Sequence, residues 1–143
     1  MDYWPKDDAL FRSEAGMTGA SPVDVLKYYA GPLNPLPGDA ANPLWCHVAH
    51  WWIQWKDYLA AGGAADDLEA FVAWSQKLQA DYIGFAAKLT KQRFPGCGGF
   101  IVWMGHDSFP CPSNTAVLDF HGRMKPAALA LREVFRNINS AEL

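Results

Sequence analysis

The sequence predicts an α/β chain, helix-rich and poor in strands. Two short apolar runs, one at Leu10–Phe11 leading to Glu14 and one at Phe100–Trp103, read as strands. The segments between and after them carry helical periodicity bounded by caps and glycines. The resulting order, strand, helices, strand, helix, is that of βα units laid on a parallel sheet. At 143 residues, half of them apolar and 19% charged, the chain has the size and composition of one globular domain.

The first strand ends in Arg12, Ser13 and Glu14, just ahead of Gly16. A carboxylate taken into an apolar interior costs several kcal/mol or more unless it is paired or has a task, so Glu14 needs either an ion pair with Arg12 or Lys6 or a function. The segment ASPVDVLKYYAG then reads as a short helix, with Ser21 as cap, Pro22 at the first helical position and Gly31 past the end. A Pro- and Gly-rich loop follows and ends at Asn42-Pro43, where a cap and a first-turn proline predict a helix running to the Gly62-Gly63 pair. On that helix Trp45, Val48, Trp52 and Trp55 recur at three and four, a stripe expected to pack in the core, with Trp51 lying off it.

Asp66 or Asp67 opens the longest helix, with Glu69 placed as in a capping box. It runs to Pro95-Gly96 with Leu68, Phe71, Val72, Leu78, Tyr82, Phe85 and Leu89 on one face. The continuous apolar run from Gly99 to Met104 predicts a strand buried on both faces, which wants parallel neighbours. A turn at His121-Gly122 leads to a last helix from about Pro126, with Ala128, Leu131, Val134 and Phe135 inward. Two strands cannot close a sheet, so the pattern reads as a piece of a larger α/β domain.

Composition narrows the partners. Net charge is −3 without a basic cluster, which gives no electrostatic footprint for nucleic acid or an anionic membrane. No apolar stretch approaches the ~20 residues of a membrane span. Cys46, Cys97 and Cys111 are odd in number and irregularly spaced, fitting neither a disulfide framework nor a CxxC zinc site, although a Cys97–Cys111 bridge stays open. Cys46, His47 and His50 lack a further ligand at metal spacing, so neither a metal nor a cofactor is expected. Seven Trp in one domain offer an alternative, non-catalytic reading: a module presenting Trp45, Trp51, Trp52 and Trp55 as an exposed carbohydrate- or protein-binding row. Unpaired strand edges would favour self-association in either case.

Together, FRSEAGM and GCGGFIVWMGHDSFP resemble the retaining β-glycosidases, most closely glycoside hydrolase family 2 in its β-mannosidase and exo-β-glucosaminidase branch. In that family the seventh barrel strand ends in a Ser-Glu-Phe-Gly type motif whose Glu is the nucleophile, and Glu14 stands at the matching place. Gly98, Gly99, Trp103, Asp107 and Pro110 match the family's eighth strand, and LDFHGRMKPAALALREVF resembles the segment leading to its last helix. Ala15, His106 and Phe109 depart from the usual Phe or Tyr, Asn and Trp, which points to a divergent substrate preference.

The resemblance implies a partial (β/α)8 TIM barrel, with residues 1–143 as its C-terminal portion: the last two βα units, strands seven and eight, with extra helices. It implies a β-glycoside as substrate, Glu14 as nucleophile, Trp103 as the indole beneath the sugar, and His106 and Asp107 as hydroxyl contacts. Retaining hydrolysis needs two carboxyl groups about 5–5.5 Å apart. The family's acid/base Glu follows an Asn on the fourth strand, and no Asn-Glu pair occurs in this sequence. A full barrel takes about 250 residues, so the chain alone is expected to lack turnover and to associate with the remainder of the barrel.

Overall fold

A computed structural model describes residues 2–136. A 3-10 turn at Trp4–Lys6 precedes β1, Arg12–Ala15, which pairs in parallel with β3, Phe100–Val102. Arg12 lies opposite Phe100 and Ala15 opposite Val102, so β1 takes three steps where β3 takes two. The extra residue makes a bulge at Ser13 and Glu14, both exposed. A second, antiparallel pair joins β2, Gly19–Ala20, to β4, Ser113–Asn114. The helices are α1 at Val23–Ala30, α2 at His50–Ile53, α3 at Trp55–Ala60, α4 at Leu68–Gln92 and α5 at Pro126–Arg136. The architecture is therefore mixed α/β, and its described strands form two separate pairs rather than a closed barrel.

The long helix α4 organises both halves of the core. Asp67 caps it by accepting a hydrogen bond from the Ala70 N–H at 2.8 Å. Its N-terminal half packs Phe71 edge-on against Trp45 and Trp55, with ring centroids 5.9 and 5.0 Å apart. The C-terminal half packs Ile83, Ala86 and Ala87 against Trp4, Ala15, Ala127 and Leu131, so β1 and α5 share one cluster. Each fully buried large apolar side chain contributes about 1.5–3 kcal/mol, and α4 supplies such residues to both clusters. No helix among the described residues is long and apolar enough to cross a membrane.

Several sequence expectations are corrected. The helix expected from Asn42-Pro43 to Gly62 is broken: residues 41–48 form turns, and α2 and α3 are separated by Gln54 at φ 65°. Its cause is tertiary. The buried Gln54 amide donates to the Thr18 carbonyl and hydroxyl at 3.2 and 2.8 Å and accepts from the Ser75 hydroxyl at 2.9 Å. Ser21 does not cap α1, because its hydroxyl donates to the Cys111 carbonyl at 2.6 Å. β3 is covered on one face only: Ile101 is 56% exposed, since no described element lies over it. Phe135, expected inward, is exposed on α5. Cys97 and Cys111 are buried free thiols and form no bridge.

Candidate functional site

Because β1 and β3 run in the same direction, their C-terminal ends open on one side, where the following loops gather. Glu14 sits there, in the bulge. Arg12 is committed elsewhere: its Nε donates to Asp7 Oδ1 at 3.1 Å, while the Arg93 guanidinium holds Asp7 Oδ2 at 2.6 Å. Lys6 makes no ion pair with Glu14 either, and Glu14 has no hydrogen-bond or charge partner among the described residues. Glu14 is also exposed, which corrects the expectation of a carboxylate taken into an apolar interior: solvated by water, it needs no partner.

Trp103 directly follows β3. Its N–H donates to the Ala15 carbonyl at 2.9 Å, and its own carbonyl accepts from the Thr115 hydroxyl at 2.8 Å. These bonds tie it to the end of β1, beside Glu14, with the indole 44% exposed. Met104 then turns the chain at φ 66°. The indole meets Trp52 edge-on, with centroids 6.0 Å apart and planes at 85°.

The other two expected site residues go separate ways. His106 is exposed and forms a β-bridge with Leu118. Asp107 is buried at 1% exposure, with Oδ1 accepting from the Asn114 amide and from the Cys111 thiol at 3.5 Å, while Oδ2 is buried without a partner. Burial raises its pKa, against the lowering effect of the Asn114 hydrogen bond and of Lys125. Lys125 is buried too, donating to the Gly19 carbonyl at 3.0 Å, and burial lowers its pKa to about 8. Burial next to Asp107 pushes the Cys111 thiol up to about 12. Asp107 thus belongs to an internal polar cluster, whereas Glu14 and Trp103 share the strand ends.

A cleft of about 380 Å3 lies beside Trp103, lined also by Trp51, Trp52, Gln54, Asp57 and Thr115. Sequence reasoning missed it. The helical stripe assigned Trp52 to the core, and nothing local signals that a residue of α2 meets one at the end of β3. Trp45 and Trp55 are core residues, so the expected alternative of an exposed row of four indoles does not exist in this fold. The Cys46 thiol, exposed, donates to the Pro43 carbonyl at 3.1 Å. Among the described residues no group of three or more His, Cys, Asp or Glu is arranged to hold a metal ion.

No protein-family model matches the chain, and no curated protein matches it. Among solved structures, a β-D-mannosidase from Dictyoglomus thermophilum shares its fold, with a TM-score of 0.77 and 18% sequence identity. The match covers 94% of this chain and 17% of that chain, so this chain spans under a fifth of the enzyme it resembles. At that identity the likeness is one of fold alone.

Proposed function

We propose that the chain forms the part of a retaining β-glycosidase barrel that carries strands seven and eight, with Glu14 as nucleophile. The observation that carries this reading is Glu14 itself: an unpartnered carboxylate in a bulge at the C-terminal end of a parallel strand, beside a partly exposed tryptophan. Bulges recur next to active sites because they re-aim a side chain. Trp103 offers a flat indole suited to the C–H face of a pyranose. The likeness to the β-mannosidase supports a β-mannoside or a related β-glycoside as the substrate class.

In this reading Glu14 attacks the anomeric carbon and a second carboxyl group, from the rest of the barrel, protonates the leaving oxygen and later activates water. The isolated chain therefore lacks turnover. Its nucleophile can still be tested with a substrate whose leaving group needs no protonation. With a 2-deoxy-2-fluoro-β-mannosyl fluoride, the C1–F bond breaks, fluoride departs, and a glycosyl ester forms on the Glu14 carboxylate. The expected outcome is a slow mass gain of one fluoroglycosyl group on the peptide containing Glu14, absent from Glu14→Gln. Labelling of another residue, or labelling that persists in Glu14→Gln, would remove Glu14 from the role. A panel of aryl β-glycosides gives no turnover in this reading, and turnover lost with Glu14→Gln would place an acid/base partner within the chain.

A further inference from the structure

We infer that Trp51 and Trp52 of α2, with Asp57 of α3, form a second sugar subsite that extends the one over Trp103. The inference rests on the proposed glycosidase reading and assigns the cleft that reading leaves unused. Trp51 is 67% exposed and stands perpendicular to Trp52, with centroids 5.4 Å apart and planes at 89°. Trp52 in turn stands perpendicular to Trp103. Three indoles in successive right angles make a stepped aromatic corner, not a flat patch. Such a corner offers separate faces to two pyranose rings joined by a bent linkage. The exposed Asp57 carboxylate lines the same cleft and has no side-chain partner among the described residues. A free carboxylate at the rim accepts charge-assisted hydrogen bonds from the hydroxyls that an indole cannot satisfy.

The corner is fixed by the left-handed residue between α2 and α3. A non-glycine residue in the left-handed region costs of order 1–3 kcal/mol, and persists only where its surroundings over-determine it. Gln54 is such a residue, and its side chain is bonded to Thr18 and Ser75. The break it makes lets α3 keep Trp55 in the core while α2 turns Trp51 and Trp52 outward. The Ser113 hydroxyl donates to the Trp52 carbonyl at 3.2 Å and secures the turned segment to β4.

The test is an NMR titration of the 15N-labelled chain, following its indole N–H signals with methyl β-mannoside and with β-1,4-mannotriose. The expected result is that the monosaccharide moves the Trp103 signal, whereas the trisaccharide also moves those of Trp51 and Trp52. Trp51→Ala and Asp57→Ala, both at exposed positions, each weaken trisaccharide binding about tenfold and leave methyl mannoside unchanged. If both sugars move Trp103 alone, with equal affinity in Trp51→Ala and the parent chain, the second subsite is overturned and the sugar site at Trp103 stands. If no indole responds to either sugar, the second subsite falls together with the reading beneath it.

Discussion

The two faces of the β1–β3 pair are built from similar residues and meet different fates. On one face Ala15, Phe100 and Val102 pack against Trp4, Ile83, Ala87 and their neighbours. The other presents Ile101 and Trp103 to the outside together with Ser13 and Glu14. Parallel strands are ordinarily covered on both faces, and each member of this pair also has a free edge. The covered face therefore accounts for stability, and the open face is the one the proposed function uses. Substitutions on the two sides should separate these properties.

The largest loss is expected from Asp7→Ala. The Asp7 side chain is wholly buried between Arg12, on β1, and Arg93, just past the end of α4. Removing the shared anion leaves two guanidinium groups facing one another. Breaking a buried pair costs about 3–5 kcal/mol, and because both arginines keep part of their surface in water the loss should fall near the lower end. Urea unfolding with an unchanged slope would measure it. A loss under about 1 kcal/mol would mean that this ion cluster does not brace the covered side.

Next in size is the internal cluster of Lys125, Asp107, Asp119 and Cys111. Lys125→Met should destabilise strongly because it strips Asp107 of its nearby cation, Asp119 keeping its pair with Arg123, whereas Lys125→Met combined with Asp107→Asn should recover much of the loss. The same cluster sets a pH dependence. Lys125 titrates at about 8 in the fold against 10.5 when free, so between those values the unfolded chain binds the extra proton and stability rises with pH. Cys111 acts oppositely: from 9 to about 12 the folded thiol keeps a proton that the unfolded one releases, and stability falls. Their sum is a rise from pH 8 that flattens above pH 9. Thermal melts of Cys111→Ala should show the rise continuing, and those of Lys125→Met should show no rise.

How far the sequence foretold this depends on where each cause lies. Helix α4 was legible because its apolar spacing and its Asp67 cap are local, and α1 likewise ends at Gly31, which sits at φ 56°. The break at Gln54 was not legible, since the groups that hold it, Thr18 and Ser75, lie 36 and 21 residues away. The FIVW run could not say that one of its faces goes uncovered, because apolarity is the same for a residue awaiting a partner as for one already packed. For the proposed site, Glu14 and Trp103 were singled out by family resemblance, and the fold brings the end of β1 that carries Glu14 beside Trp103, which directly follows β3. Asp107 matched the same pattern yet lies inside, drawn in by Asn114 and Lys125. Trp52 was seen only as part of a stripe, because its contact with Trp103 is tertiary.

The smallest effect on stability should come from the open face, and it is the most informative. Ile101→Lys replaces an exposed apolar side chain and should change unfolding free energy by no more than about 0.5 kcal/mol. Val102→Ala, one residue along and on the covered face, should cost about 1 kcal/mol or more. Self-association should reverse the ranking. A lysine on a bare parallel strand deters pairing with another chain, so sedimentation should shift toward monomer with Ile101→Lys and stay unchanged with Val102→Ala. If Ile101→Lys instead destabilises as much as Val102→Ala, the face is covered within the chain itself, and the division between a stabilising face and a binding face fails.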